Sequence, residues 1–296
     1  MENLIFRKAL DLSDIPQSWT LVRLAADWSG FPILLFAEDK PTWPAVATDP
    51  ESIARWYRTP PTAHHAVYFD GGETRTITFE RSQRISTFHV QPLDDGWLLA
   101  DRRGGLANLH DAYGQFRRSI DLGDASEDVQ TTPDGKIWVS YFDEGVFGSG
   151  IGQQGAVCFD MQGVPLFKYG DFAERTGLPL ISDCYAMNVT SAGDVWFNYY
   201  TDFPLVHLQD FALERVLMDF GVMGKGFAVR DEAIVSARGA NLVRKPLDPT
   251  GEEAAIVNAQ DEFGKALLPL KTPHTDFEFR GPNLLINTGW AVYVSM

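Results

Sequence analysis

DVQTTPDGKIWVSYF, residues 128–142, followed after a loop by AVCFDMQGVPLFKYG, residues 156–170, decides the fold of this chain. A first short strand runs into the tight turn Pro133-Asp134-Gly135, and a second strand covers Lys136 to Phe142. A third returns over Ala156 to Asp160, and Met161-Gln162-Gly163 turns the chain into a fourth over Val164 to Tyr169. Short apolar runs bounded by Gly, Asp and Pro mark strands of a buried sheet. Four such strands in up-and-down order form the unit that radial β architectures repeat.

The unit is written six times. Its first turns fall at Ser29-Gly30, Asp95-Gly96, Asp134-Gly135, Ala192-Gly193, Asp231-Glu232 and Gly281-Pro282, each followed by an apolar strand such as Ile33 to Phe36 or Trp97 to Ala100. Five third strands are followed by an aspartate, at Asp70, Asp111, Asp160, Asp210 and Asp248. Asp suits that place because its carboxylate accepts a hydrogen bond from the backbone two residues on. The sixth copy ends at Met296 after its third strand, and the alternating segment Glu2 to Leu12 is the natural partner for that edge. The pattern predicts an all-β, six-bladed β-propeller in one domain, 1–296, whose N-terminal strand completes the last blade. Blades are expected near 19–81, 86–123, 127–172, 184–221, 226–260 and 276–296 plus 2–12.

With 25 Lys and Arg against 40 Asp and Glu, the net charge of −15 disfavours phosphate backbones and anionic lipid, so neither nucleic acid nor membrane is an expected partner. The first residues lack the basic start and apolar core of a signal peptide, and no apolar run approaches ~18 residues, which gives a cytoplasmic expectation. Cys158 and Cys184 are too few for a disulfide framework and read as buried thiols.

Turns between first and second strands share one face of the disc. The long segments Ala37 to His64, Asp143 to Gly155, Asp171 to Cys184 and Gln260 to Thr275 share the other, which is the expected functional face. In the first of these, Asp49-Pro50 opens a short helix carrying Ile53, Trp56 and Tyr57. Gly150 to Gly155 matches GxGxxG, but no helix follows to face a pyrophosphate. Superimposing the copies brings His89, Glu127, Asp128, Asp183, Tyr185, His274 and Asp276 to the starts of the inner strands. Tyr199, Tyr200, Asp202 and Trp290 fall at second-strand ends. Carboxylates there suit a divalent cation, imidazoles suit proton transfer, and aromatic rings suit a small molecule.

EDVQTTPDGKIW, residues 127–138, resembles the inner-strand repeat of six-bladed propellers of the gluconolactonase and senescence-marker type and of NHL-repeat proteins. AGDVWF, residues 192–197, repeats its ending and also resembles streptogramin lyase blades. In the lactonases the strand begins Asn-Asp and the Asn helps hold a divalent metal; Glu127 stands at that position here, and the family's opening Glu-Gly-Pro is absent. The reading is therefore a binding propeller that takes a small molecule or peptide on its long-loop face through Tyr185, Tyr199, Tyr200, Asp202 and Trp290. The alternative is a metal-dependent hydrolase of lactonase type, with a divalent cation at Glu127, Asp128, Asp183 and Asp276 and proton transfer by His89 or His274.

Overall fold

The computed structural model describes residues 2–39, 62–79, 87–190, 194–221, 223, 224, 226–239, 241–248, 254–268 and 276–296, without the side chains of Thr87, Phe88 and Asp276. The helix expected after Asp49, the turn at Ala192-Gly193 and His274 lie outside the described residues.

The chain opens with β1 (Asn3–Asp11) and then folds sheet by sheet. The first sheet holds β2 (Trp19–Ala26), β3 (Pro32–Glu38), β4 (His64–Phe69) and β5 (Thr74–Phe79). The second holds β6 (Thr87–Leu93), β7 (Gly96–Asp101), β8 (Leu106–His110) and β9 (Phe116–Asp121). In the third are β10 (Ser126–Thr131), β11 (Ile137–Tyr141), β12 (Ala156–Phe159) and β13 (Pro165–Lys168). The fourth comprises β14 (Asp183–Val189), β15 (Asp194–Tyr200), β16 (Leu205–Gln209) and β17 (Ala212–Leu217). An eight-stranded sheet contains β18 (Phe227–Arg230), β19 (Ala233–Arg238), β20 (Asn241–Pro246), β21 (Ala255–Asp261), β22 (Asp276–Arg280), β23 (Asn283–Asn287) and β24 (Ala291–Ser295), joined through β1.

The junction at β1 goes beyond the sequence reading. β1 pairs antiparallel with β24, Phe6 opposite Ser295, and on its other edge runs parallel to β21, Leu4 opposite Ala259. Phe6 and Leu10 are buried, and the register shift between Lys8 and Leu10 turns Leu10 to the other side of the strand, so Phe6 packs among the last strands and Leu10 against the first sheet.

Local chemistry sets the turns. Asp70, Asp111 and Asp160 each accept hydrogen bonds from the backbone N–H groups two and three or four residues on, at 2.8 to 3.0 Å. Asp27 does the same at the Ser29-Gly30 turn, and Asp261 at the start of the segment after β21. Asp210-Phe211 and Asp231-Glu232 hold positive φ at both residues, the conformation that matches the twist of a two-residue hairpin.

The first strands pack in cyclic order, β2 against β6, β6 against β10, β10 against β14, β14 against β18, β18 against β22, and β22 back against β2. Apolar clusters fill the spaces between neighbouring sheets. Leu98, Ile137 and Val139 join the second and third sheets, while Leu10, Leu34 and Val292 join the last strands to the first sheet. Both cysteines are buried free thiols, with Cys158 and Cys184 in the cluster between the third and fourth sheets.

Two helices interrupt the third sheet's connections, α1 (Asp143–Val146) and α2 (Tyr169–Thr176). The sequence reading carried the fourth strand of this unit to Tyr169; the chain instead enters α2 there. Tyr169, Phe172 and Ala173 share one buried face at i, i+3 and i+4, and Gly177 ends the helix in the left-handed conformation at φ 73°.

Candidate functional site

Four inner strands carry a bulge near their start. The register shifts between Leu21 and Arg23, Thr87 and His89, Ser126 and Asp128, and Cys184 and Ala186. An extra residue at such a place bends the strand and re-aims side chains. The residues after three of the bulges are Arg23, His89 and Asp128. β6 lies between β2 and β10, yet Arg23 donates to Asp128 at 3.0 Å, so the two side chains meet across the interior of the ring.

That contact belongs to a connected polar network. Arg23 also lies 3.7 Å from Glu278, and Gln130 donates to Asp128 at 2.8 Å. Arg280, fully enclosed, donates to the Gln130 side chain at 2.6 Å and to the Thr131 carbonyl. Asn188 donates to the carbonyls of Phe227 and Gly281 at 2.6 and 2.9 Å and accepts from the Gly281 N–H at 2.7 Å, tying β14 to β18 and β22. Burying charge is costly unless it is paired and hydrogen-bonded. Arg23 is paired with Asp128, whereas Arg280 rests on the Gln130 side chain and the Thr131 carbonyl and its Nε is left without a hydrogen-bond partner among the described residues, in a network whose side chains come from four inner strands. Burial pushes the Glu278 carboxyl up to about 8, opposed by Arg23 and reinforced by Asp128. Burial likewise brings Arg280 down to about 10.

His89, offered by the sequence as an acid or base, is 2% exposed. Its Nε2 lies 3.4 Å from the Ser126 hydroxyl and its Nδ1 4.0 Å from Asp128. Burial first, then Arg23 and Arg102, hold its pKa well below 6.5, so it is a neutral ring inside the network with no exposed edge for a substrate.

Above the network, at the long-loop ends of the strands, the mouth is acidic and aromatic. Arg102 pairs with Glu127 and lies 4.9 Å over the ring of Phe142. Asp183, opposite Tyr200 in the strand pair, has its pKa raised by burial and then by Asp143, with Arg102 opposing. Tyr185 stacks nearly parallel on Phe203 at 5.9 Å, and Tyr200 lies 5.6 Å from the same ring. Burial raises the Tyr185 hydroxyl pKa, followed by Asp183, Tyr200 and Asp143, which places these groups around one another.

The structure thus brings Glu127, Asp183, Tyr185 and Tyr200 to one mouth, with Asp128 beneath. Tyr199 is a correction: it is fully buried, its hydroxyl bonded to Tyr169 at 2.6 Å and to the Pro179 carbonyl at 3.0 Å, because alternation along β15 turns it into the core between sheets. Asp202 is exposed in the turn after β15. Trp290, 60% exposed, follows β23 on the same face, but among the described residues no ring contact links it to Tyr200. The backbone of Asp276 pairs with Asn287 at the start of β22.

Among the described residues no group of three or more His, Cys, Asp or Glu side chains is arranged to hold a metal ion. Glu127 and Asp128, half of the expected metal set, are each engaged by an arginine. The sequence reading missed those arginines, along with Glu278 and Arg280. The two-residue spacing of Glu278 and Arg280, alternating with Phe277 and Phe279, was the available signal that they share a face.

A separate cleft of about 410 Å³ lies between the outer parts of the second and third sheets, lined by Gly105, Asp121, Gly123, Asp124, Ile151 and Pro165 among others. No helix is long and apolar enough to cross a membrane among the described residues.

Comparison with known proteins gives the class. The chain superimposes on regucalcin, a calcium-binding protein from Agrobacterium tumefaciens strain C58, with a TM-score of 0.50 and 14% identity over 100% of this chain and 95% of that one. It superimposes equally, TM-score 0.50 and 8% identity, on a chain of a mitotic checkpoint complex, covering 99% of this chain and 95% of that chain. At such identities the likeness shows the fold alone, and that fold is a β-propeller. The YxzG family model matches residues 156–293, a little under half of the chain. No curated protein sequence matches it.

Proposed function

We propose that this protein is a six-bladed binding propeller that takes a small molecule or peptide at the mouth formed by Asp183, Tyr185 and Tyr200. The cyclic packing of the inner strands and the apolar clusters between neighbouring sheets support six blades, with the eight-stranded sheet counted as two. The pairing of β1 with β24 supports closure by the N-terminal strand. The observation that carries the functional reading is the pairing of accessible rings with a carboxylate, Asp183, that makes no ion pair among the described residues, above inner strands tied together by the contacts of Arg23 with Asp128 and of Arg280 with Gln130. A site presented on inner strands cross-linked in this way is held in place before a ligand arrives, which limits the ordering cost of binding. Trp290 and Asp202, on the same face, are part of the proposed outer rim.

A thermal-shift panel of metabolites and short peptides tests this reading, run on the parent and on a Tyr185→Ala/Tyr200→Ala double variant. The expected result is at least one compound that raises the melting temperature of the parent and not of the variant, because a ligand bound only by the folded state stabilises it by mass action. A silent panel, or hits indifferent to the double variant, sinks it.

A further inference from the structure

We propose that the mouth receives an alkylammonium group, with Tyr185, Tyr200 and Phe203 supplying ring faces and Asp183 with Asp143 supplying the counter-charge. The inference rests on the reading of the mouth as a binding site and names the chemistry of its occupant.

The first support is aromatic. The three rings form one connected group, and Tyr200 is 46% exposed, so ring surface is open to solvent at the mouth. The negative face of an aromatic ring attracts a cation that sheds water easily, and alkylammonium groups do so more readily than small metal ions. The second is charge. α1, which begins at Asp143, packs against β14, which begins at Asp183, and neither carboxylate makes an ion pair among the described residues. The nearby cation, Arg102, is held by Glu127 and by the ring of Phe142. That arginine already shows the pairing of cation, carboxylate and ring within the same mouth.

Other occupants fit less well. Two adjacent carboxylates repel an anion. A neutral apolar guest would cover those carboxylates without pairing them, which is costly. A bare divalent cation would find no described group of three donors and would gain little from rings that carry no strong donor atom. A cation with an apolar surface satisfies rings and carboxylates together. The head group has two possible bearers, a free amine or a lysine side chain of a peptide.

Titration by calorimetry with choline, with its uncharged isostere 3,3-dimethylbutan-1-ol, and with Nα-acetyl-lysine amide tests the proposal and separates the two bearers. Choline or the lysine amide should bind about tenfold more tightly than the isostere, the size expected when a desolvated cation meets rings and a carboxylate. Tyr185→Ala should weaken binding about fivefold or more, Tyr185→Phe should retain it, and Asp183→Asn should weaken it, with all variants checked for an unchanged melt. The proposal falls if the isostere binds as well as choline, if Tyr185→Ala changes nothing, or if both cations are silent. A panel ligand that is neutral or anionic yet lost in the Tyr185→Ala/Tyr200→Ala variant would overturn the alkylammonium assignment and leave the mouth a binding site. A silent panel together with silent cations removes both readings.

Discussion

Asn188 reaches two neighbouring inner strands with one side chain, and its three hydrogen bonds are all buried. Asn188→Ala would remove the partner of the Gly281 N–H and one donor each from the Phe227 and Gly281 carbonyls, the latter keeping the Val229 N–H, and should lower stability by about 2 kcal/mol, read from urea denaturation midpoints. Glu278 makes a different prediction. The folded protein keeps a proton on it up to about pH 8, whereas an unfolded chain releases it near 4.5, so folding takes up a proton between those values and stability falls as pH rises through that window. Buried His65 and His89 act in the opposite sense, since their lowered pKa values remove stability as pH falls below about 6.5. Between about pH 6.5 and 8 the Glu278 effect therefore stands apart from theirs, with a limiting slope of about 1.4 kcal/mol per pH unit. Denaturation of the parent at pH 6.5 and 8 should show that loss, and Glu278→Gln should flatten it; equal slopes in the two proteins would rule out the assignment.

At the scale of elements, β1 is the test of how the ring is held. Phe6 is fully buried in the cluster that joins the last strands, and Leu10 is buried against the first sheet. Phe6→Ala should destabilise by about 3 to 5 kcal/mol, and removal of residues 1–11 should produce aggregation, because β24 and β21 both lose their neighbour and present bare edges. Size-exclusion chromatography of the truncated protein checks this; a monomer that melts like the parent would contradict it. The antiparallel half of this junction was legible in the spacing of Leu4, Phe6 and Leu10. The parallel half was not, because nothing in the sequence of an outer strand says which second edge lies within reach. α2 was legible in retrospect: Phe172 and Ala173 followed by Gly177 spell an amphipathic turn with its stop, which the strand reading of Val164 to Tyr169 overrode.

For the whole molecule, the rival readings separate on metal. Arg102 and Arg23 occupy Glu127 and Asp128, so a chelator should leave the melting temperature unchanged and added calcium should not raise it. Calcium-dependent stabilisation, with metal found by elemental analysis, would favour the hydrolase alternative instead. The large negative charge stands behind the cation proposal as well, since a protein of net charge −15 draws cationic ligands toward any acidic concavity at low salt.

The sequence by itself determined the strands and their turns, because the forces that make them are local. The carboxylate of Asp111 reaches Tyr113 and Gln115, and that of Asp160 reaches Gln162 and Val164, all within four residues. It also brought Asp183 and Tyr185 to the correct strand start. Only the tertiary structure decided what those groups do. Arg23 and Asp128 are 105 residues apart, and Arg280 and Gln130 are 150 apart, so their pairing depends on the closing of a ring. The bulges in β2, β6, β10 and β14 shift the register by one residue, which changes the side a following residue faces without leaving a distinct mark in composition. Tyr199 and Tyr200 of β15 were likewise divided only by the packing: neighbours in sequence on opposite sides of the strand, Tyr199 faces the core between sheets and Tyr200 the mouth.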